Sequence, residues 1–370
     1  MKGYFILYGE TSEENRSGIG LKIRNQIKAF NNAGLNCEEL VLPISKNKLL
    51  SILYRLPFFN VYPIWTYREE FADADYLYMR RPFVMNGYMR RIFRKVREKN
   101  PKIKIIVEIP TYPYDEEYNT YKLKQLLILK DKYSRTRMKG LIDYFANLTE
   151  EKEIFGIPTI KIWNGINVDE VQKRIPEKQE VDKNTIHMCA IAMFKEWHGY
   201  ERFLEGLNNY YSNGGNRNIV CHFVGEGSEL PYYKELVSRY SLEQHVLFHG
   251  FMESDELSHI YNISTISLGS FGMYKKKLNL SCDLKSREAV ARGIPMVTGC
   301  PTDIFQKDQF KYYLEFPNDA SVLDIQKIID FHDKVYSEAE DVVVEKIRDY
   351  AKRVVDMNAS MRNVISYFKE

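Results

Sequence analysis

The chain has 370 residues, 44% hydrophobic and 14% aromatic, enough to bury two ordinary cores and without the composition of a disordered chain. Its five cysteines, Cys37, Cys189, Cys221, Cys282 and Cys300, are odd in number and include no C-x-x-C pair, which argues against a disulfide framework or a zinc site and for reduced, structural thiols. The formal net charge of +3 hides an asymmetry: residues 1–165 hold 28 Lys+Arg against 19 Asp+Glu, and the remainder holds 25 against 31.

Met1 to Tyr8 leaves no room for an apolar signal core before Gly9-Glu10, and no run of about 18 apolar residues follows, so the sequence predicts a cytoplasmic chain that spans no membrane. Tyr4–Tyr8 reads as a strand, and a polar loop through Gly18 and Gly20 leads into a helix over about 19–33. The two glycines suit either close backbone approach to a ligand or a plain strand-to-helix turn. After a strand at 37–42, residues 46–67 mix Leu, Ile, Phe, Trp65 and Tyr with flanking Lys and Arg, a composition suited to a bilayer interface or to an amphipathic helix on the domain's own sheet. Residues 79–104 carry ten Lys/Arg against Glu98 alone; they read as an anionic-membrane contact or a solvated helix face, and no nucleic-acid motif accompanies them. Asp73-Ala74-Asp75 has metal-ligand spacing but directly precedes a strand at 76–79, where it reads better as a turn.

The strand at 102–107 delivers Glu108 into a Pro-rich loop holding Tyr112 and Asp115. Open α/β sheets build sites at such strand ends, so Glu108 and Asp115 are candidates to orient or deprotonate an acceptor hydroxyl and Tyr112 to stack on a sugar; a stiff loop with solvated acids is the other reading. Beyond Trp163-Asn164-Gly165, strands near 186–192, 219–224, 246–249 and 264–268 alternate with helices at 200–212, 229–241 and 253–261, the pattern of a doubly wound parallel sheet. Helices are expected at 321–335 and 338–369.

Residues 281–299 form the organising stretch. A loop runs into a short helix that Gly293 ends, and Ile294-Pro295-Met296-Val297 starts a buried strand. The helix opens at Cys282, Asp283, Leu284, Lys285 and Ser286, where free amides and the helix dipole suit a phosphate that Lys285 can pair with. Glu288, one turn on, can accept two neighbouring ribose hydroxyls, so the combination suggests a nucleotide.

Here the sequence resembles the retaining GT-B glycosyltransferases, family 4 in particular, whose second motif Glu opens an EA-x-A-x-G-x-P segment matched by Glu288 to Pro295. Leu280 stands where that family has its first Glu, a carboxylate that helps hold the donor sugar. Further matches are Lys195 and His198 at the family's diphosphate cations, Gly225 in a V-G-x-G turn, Gly250 in the segment lining the base pocket, and Gly272 before the motif, where it would shape the sugar pocket. Lys275, Lys276 and Lys277 would bind phosphate or be solvated. The resemblance also implies that Gly18 and Gly20 lie beside the donor diphosphate or the acceptor.

The resemblance implies an α/β GT-B fold: two Rossmann-like doubly wound domains facing across a cleft, an acceptor-side domain at 1–165, a nucleotide-sugar domain at 166–350, and a helix at 351–370 crossing back. It implies retaining transfer of a hexose-type sugar from a nucleotide-diphosphate donor to a lipid-linked or glycan acceptor without metal or other cofactor; an anionic membrane surface at the inner face is the partner that the basic first half, rather than the resemblance, suggests. Loss of the carboxylate at Leu280 keeps a non-catalytic GT-B partner in view, and the shared layout keeps a nucleotide-sugar epimerase.

Overall fold

The computed structural model describes residues 1–15, 18–56, 59, 67–115, 124–176, 184–305 and 310–370. The chain divides into two compact units, Met1–Gly165 with Met357–Glu370, and Ile166–Asp356.

In chain order the first unit contains β1 (Lys2–Tyr8), α1 (Gly18–Asn32), β2 (Asn36–Leu42), α2 (Lys48–Arg55), β3 (Tyr76–Arg80), α3 (Gly87–Lys99), β4 (Lys104–Ile109), α4 (Lys124–Arg135), β5 (Tyr144–Asn147), β6 (Glu153–Ile154) and β7 (Ile157–Lys161). The strands form one sheet in the order β2-β1-β3-β4-β5-β7-β6, parallel except for the β6–β7 pair. Side chains alternate across it, as period-2 geometry requires: Tyr4 and Ile6 face a core with Met89 and Phe93 of α3, while Phe5 and Leu7 face Ile23 and Phe30 of α1.

The second unit contains β8 (Thr185–Ile191), α5 (Glu201–Ser212), β9 (Asn218–Val224), α6 (Leu230–Arg239), β10 (Val246–Gly250), α7 (Ser254–Ile263), β11 (Ile266–Leu268), α8 (Leu284–Arg292), β12 (Met296–Thr298), β13 (Tyr313–Glu315), α9 (Ile325–Val335) and α10 (Glu340–Val354). Its parallel sheet runs β10-β9-β8-β11-β12-β13. His187, His222 and His249, from its first three strands in chain order, form a ladder with ring nitrogens 3.0 Å apart at each step.

The helix expected over 338–369 is broken. α10 ends at Val354, the Val355 carbonyl accepts the Ile166 amide, and the Asp356 carboxylate accepts the Val168 amide. The chain then enters α11 (Met357–Lys369), which belongs to the first unit and stacks Phe368 on Tyr76 with ring centroids 4.2 Å apart. Among the described residues, no helix is long and apolar enough to cross a membrane. Tyr62, Ile64 and Trp65 of the expected interfacial stretch lie outside the described residues.

Candidate nucleotide site in the second unit

In the second unit the chain moves outward from β8 to β9 and β10, then returns to the other side of β8 as β11. Crevices at such a reversal, at the carboxyl ends of the strands, are where open α/β sheets take ligands. Two loops meet there. Gly199, at φ +63°, packs so tightly that a Cβ would lie 2.4 Å from the Gly272 amide nitrogen, and the Phe271 amide donates to the His198 carbonyl at 2.7 Å. Gly272 therefore serves this loop crossing, with its own missing Cβ facing the Glu196 carbonyl.

The crossing fixes His198. Its Nδ1 accepts the Lys195 amide at 2.9 Å, which leaves the ring proton on Nε2, and the ring lies nearly parallel to Tyr200 at 5.9 Å. Burial, and after it the charge of Lys285, push this imidazole down to about 3, so it is a neutral N–H donor at physiological pH. The Lys285 ammonium stands 5.9 Å from the centre of the same Tyr200 ring. Its Nζ is buried without a hydrogen-bond partner among the described residues, and burial pushes it down to about 8 against the opposing pull of Asp283. Lys195 is half-buried.

The start of α8 differs from the sequence expectation. Asp283 caps the helix itself: one carboxylate oxygen accepts the Ser286 amide and hydroxyl at 2.8 Å each, and the other accepts the Ser281 hydroxyl at 2.6 Å. Burial raises the Asp283 pKa, but Lys285 and these donors outweigh it and hold the carboxyl below its ordinary value. The Ser286 amide is thus occupied, which leaves the Leu284 and Lys285 amides as first-turn donors with no intrahelical acceptor. Burial pushes the half-buried Cys282 thiol up to about 11, which makes it no thiolate at neutral pH. Glu288 is held by Arg292 at 3.2 Å and stays partly exposed, while Leu280 is 51% exposed. Gly225, at φ +122°, leaves no room for a Cβ against the Ala192 carbonyl, whereas Gly250, at φ +70°, faces open space. Lys275 pairs with Glu201 at 2.7 Å and Lys276 sits 4.0 Å over the Trp197 ring, so two of the three loop lysines have partners within the unit.

One residue escaped the sequence reading: the fully buried Arg287 ties the Asp283 carbonyl at 2.9 Å to the Asp303 carboxylate at 2.5 Å and so anchors the α8 start. Its only sequence signal was a charged residue on the inward side of a helix whose neighbours are small.

In the first unit the structure redirects the acceptor-side expectations. Glu108 is fully buried, bonded to Lys22 at 2.9 Å, Gln26 at 2.7 Å and Tyr78 at 2.8 Å. Burial raises its pKa, but Lys22, Arg80 and these donors outweigh that and hold it down at about 2, so it is a structural counter-ion with no proton affinity for base catalysis. Asp115 is engaged by Arg135 at 2.6 Å and Lys132 at 3.2 Å, and Tyr112 packs edge-on to Phe155 at 5.8 Å. Gly18 begins α1; at Gly20 a Cβ would lie 1.9 Å from the Asn15 carbonyl, so this glycine lets its own loop close and does not open space for a ligand. The basic run divides: Arg81 and Arg97 donate to backbone carbonyls and Lys104 to those of Tyr367 and Phe368, while Arg91, Arg94, Lys95 and Lys99 are exposed.

Residues 171–319 match the family model described as glycosyl transferases group 1. No curated protein sequence matches the chain. Among solved structures, the fold is similar over the whole chain to a glycosyltransferase from Rickettsia africae (14% identity, 97% of that chain, TM-score 0.60) and to the lipopolysaccharide outer core galactosyltransferase WaaB (16%, 100%, 0.58). It is also similar to Anabaena HepE in complex with UDP and glucose (12%, 99%, 0.57). The fold is therefore that of GT-B proteins, and the segment that matches the glycosyl transferases group 1 model lies in the unit that holds Lys285 and Glu288.

Proposed function

We propose that the protein transfers a hexose-type sugar from a nucleoside diphosphate donor to a hydroxyl of a polysaccharide or glycolipid precursor, with retention and without a bound metal. The observation that carries this reading is the Lys285 ammonium, buried without an acceptor beside a neutral His198 at the strand reversal of the matched unit. A diphosphate supplies the missing acceptors. Lys285, Lys195 and the His198 Nε2–H stabilise the charge that grows on the diphosphate as its bond to the anomeric carbon breaks and the acceptor oxygen bonds to that carbon. A departing phosphate oxygen takes the acceptor proton, so Glu108 is not needed as a base. Glu288 accepts the ribose hydroxyls, and Phe251, 73% exposed beyond Gly250, offers a ring to the base. The complex of HepE with UDP and glucose supports UDP as the first nucleotide to try.

The same reading places the protein in the cytoplasm, against the inner membrane face through the exposed arginines of α3 and the exposed Leu49 and Ile52 of α2. Thermal unfolding with a panel of nucleoside diphosphates, on the native protein and on Glu288→Ala, tests the donor site. A true donor nucleotide at a hundredfold excess over Kd stabilises the native protein by about 2.7 kcal/mol and the variant much less. If none stabilises either protein, the reading fails. A non-catalytic GT-B partner then becomes the better account, which the exposed Leu280 in place of a motif carboxylate already favours.

A further inference from the structure

A groove of about 600 Å³ crosses the second unit along α5, from Gly206 midway along the helix to the loop 213–216 that leads into β9. That loop lies at the amino ends of the strands, so the groove runs away from the carboxyl-end crevice of Lys285 and His198. Close backbone approach builds one wall: a Cβ on Gly206 would lie 2.3 Å from the Leu323 carbonyl, so only glycine lets the segment before α9 pass this near to α5. Tyr210 builds another. Its ring lies on Gly215, where a Cβ would come within 2.4 Å of it, and its hydroxyl accepts the Arg217 amide at 3.0 Å, which holds the half-buried ring in place.

The lining is polar and close to neutral. Asn209, Asn213 and Asn216 are exposed, and their side-chain amides engage no protein group among the described residues. Gln326 donates its Nε2–H to the Asp330 carboxylate at 2.9 Å and keeps its carbonyl oxygen. Asp324 is the one charged lining residue among those described. It caps α9 by accepting the Gln326 amide at 3.1 Å, and Lys327 stands 3.9 Å from its other oxygen.

This composition decides between ligand classes. An anion finds no cation in the lining, and the helix start that would attract one is occupied by the Asp324 carboxylate. An apolar ligand finds little to cover beyond Val322, 37% exposed. A peptide adding as a strand finds no sheet edge, since helices and loops supply the lining. Sugar hydroxyls differ from all three, because each both donates and accepts, and each free amide presents an acceptor oxygen beside two N–H donors. Neighbouring hydroxyls of a pyranose can therefore take both ends of one amide, while the C–H face of the ring packs on an aromatic side chain.

We propose that this groove is a glycan-binding site separate from the nucleotide crevice, and that it takes a neutral oligosaccharide on the amides of Asn209, Asn213 and Asn216 beside Tyr210. Binding there needs no transfer chemistry. Its use rests on the transferase reading above: a glycan chain held at one point keeps its other segments at a raised effective concentration on the same molecule.

The test titrates maltohexaose, laminarihexaose and chitohexaose calorimetrically, with the anionic hexamer of galacturonic acid as control, into the full chain and into Asn209→Ala, Asn216→Ala and the double variant. UDP is titrated into the same samples. Both substituted side chains are exposed, so the fold is expected to survive, which thermal unfolding checks. At least one neutral hexasaccharide is expected to bind the native protein, to bind each single variant about fivefold more weakly and to bind the double variant at least about twentyfold more weakly, as the loss of one or two neutral hydrogen bonds implies. Saturating UDP should shift that affinity less than about twofold, and UDP should bind every variant as it binds the native protein. The inference is overturned if no neutral hexasaccharide binds, if the double variant binds as tightly as the native protein, if the galacturonate hexamer binds more tightly than every neutral probe, or if UDP displaces the hexasaccharide, which would put the glycan in the nucleotide crevice. Failure of UDP to bind the native protein strikes the donor reading and leaves the groove standing, so the two failures are separable.

Discussion

Burial without a hydrogen-bond partner makes the Lys285 ammonium unfavourable in the ligand-free protein, and under the proposed function a diphosphate would supply the missing acceptor. The ammonium is held near 8 in the folded chain against about 10.4 when exposed, so between these values the unfolded chain keeps a proton the folded chain has lost. Its penalty is therefore full below about 8 and is relieved as pH rises toward 10.4. Lys285→Met should stabilise the ligand-free protein at pH 7 by about 1 kcal/mol, read by thermal unfolding, and should weaken nucleoside diphosphate binding at least about tenfold by calorimetry. His198 carries the same sign of pH dependence, stability rising with pH, on the acid side. Neutral in the fold down to about 3 and titrating near 6.5 when unfolded, it contributes stability that is full above 6.5 and is lost as pH falls toward 3. Urea midpoints of His198→Gln should fall less steeply than those of the native protein between pH 6.5 and 3. A residual slope will remain from His222, which burial and its ladder neighbours push down to about 4.

The elements were legible where one periodicity decides them. The unbroken apolar run of β1 and the Ala289-Val290-Ala291 segment of α8 with Gly293 beyond it signalled strand and helix correctly, because burial on both sheet faces leaves little freedom. What stayed hidden is set by partners far along the chain. That Arg287 holds the loop under α8 depends on Asp303, and that Glu108 is neutralised depends on Lys22 and Arg80, none of which spacing reveals; the Asp283 cap, by contrast, is local to Ser281 and Ser286. The break at Val355–Asp356 was missed because the amphipathic pattern continues across it. Glycine roles divide in the same way: motif spacing singles out Gly199's neighbourhood and Gly250 alike, but only packing separates them. Gly199→Ala combines positive φ with a backbone clash and is expected to cost about 2 kcal/mol or more and to weaken nucleotide binding by displacing His198. Gly250→Ala, in open space, should cost only about 1 kcal/mol of backbone strain, with chemical denaturation comparing the two.

For the whole molecule, the positive charge of residues 1–165 is less available than its count suggests, since several of its cations are spent on carbonyls inside the unit. Co-sedimentation with vesicles should therefore show modest binding that needs anionic lipid, fades at high salt and drops on Leu49→Glu or Ile52→Glu, which remove exposed apolar groups from α2. The return of α11 to the first unit has a consequence for how the protein is made. On the ribosome the second unit has its whole sequence by Asp356, whereas the sheet built first still lacks Met361, Val364 and Phe368 and leaves Tyr76 and Phe30 uncovered on that face. The part translated earliest is thus completed last, and during synthesis it is the first unit, not the second, that stands open to chaperones and proteases.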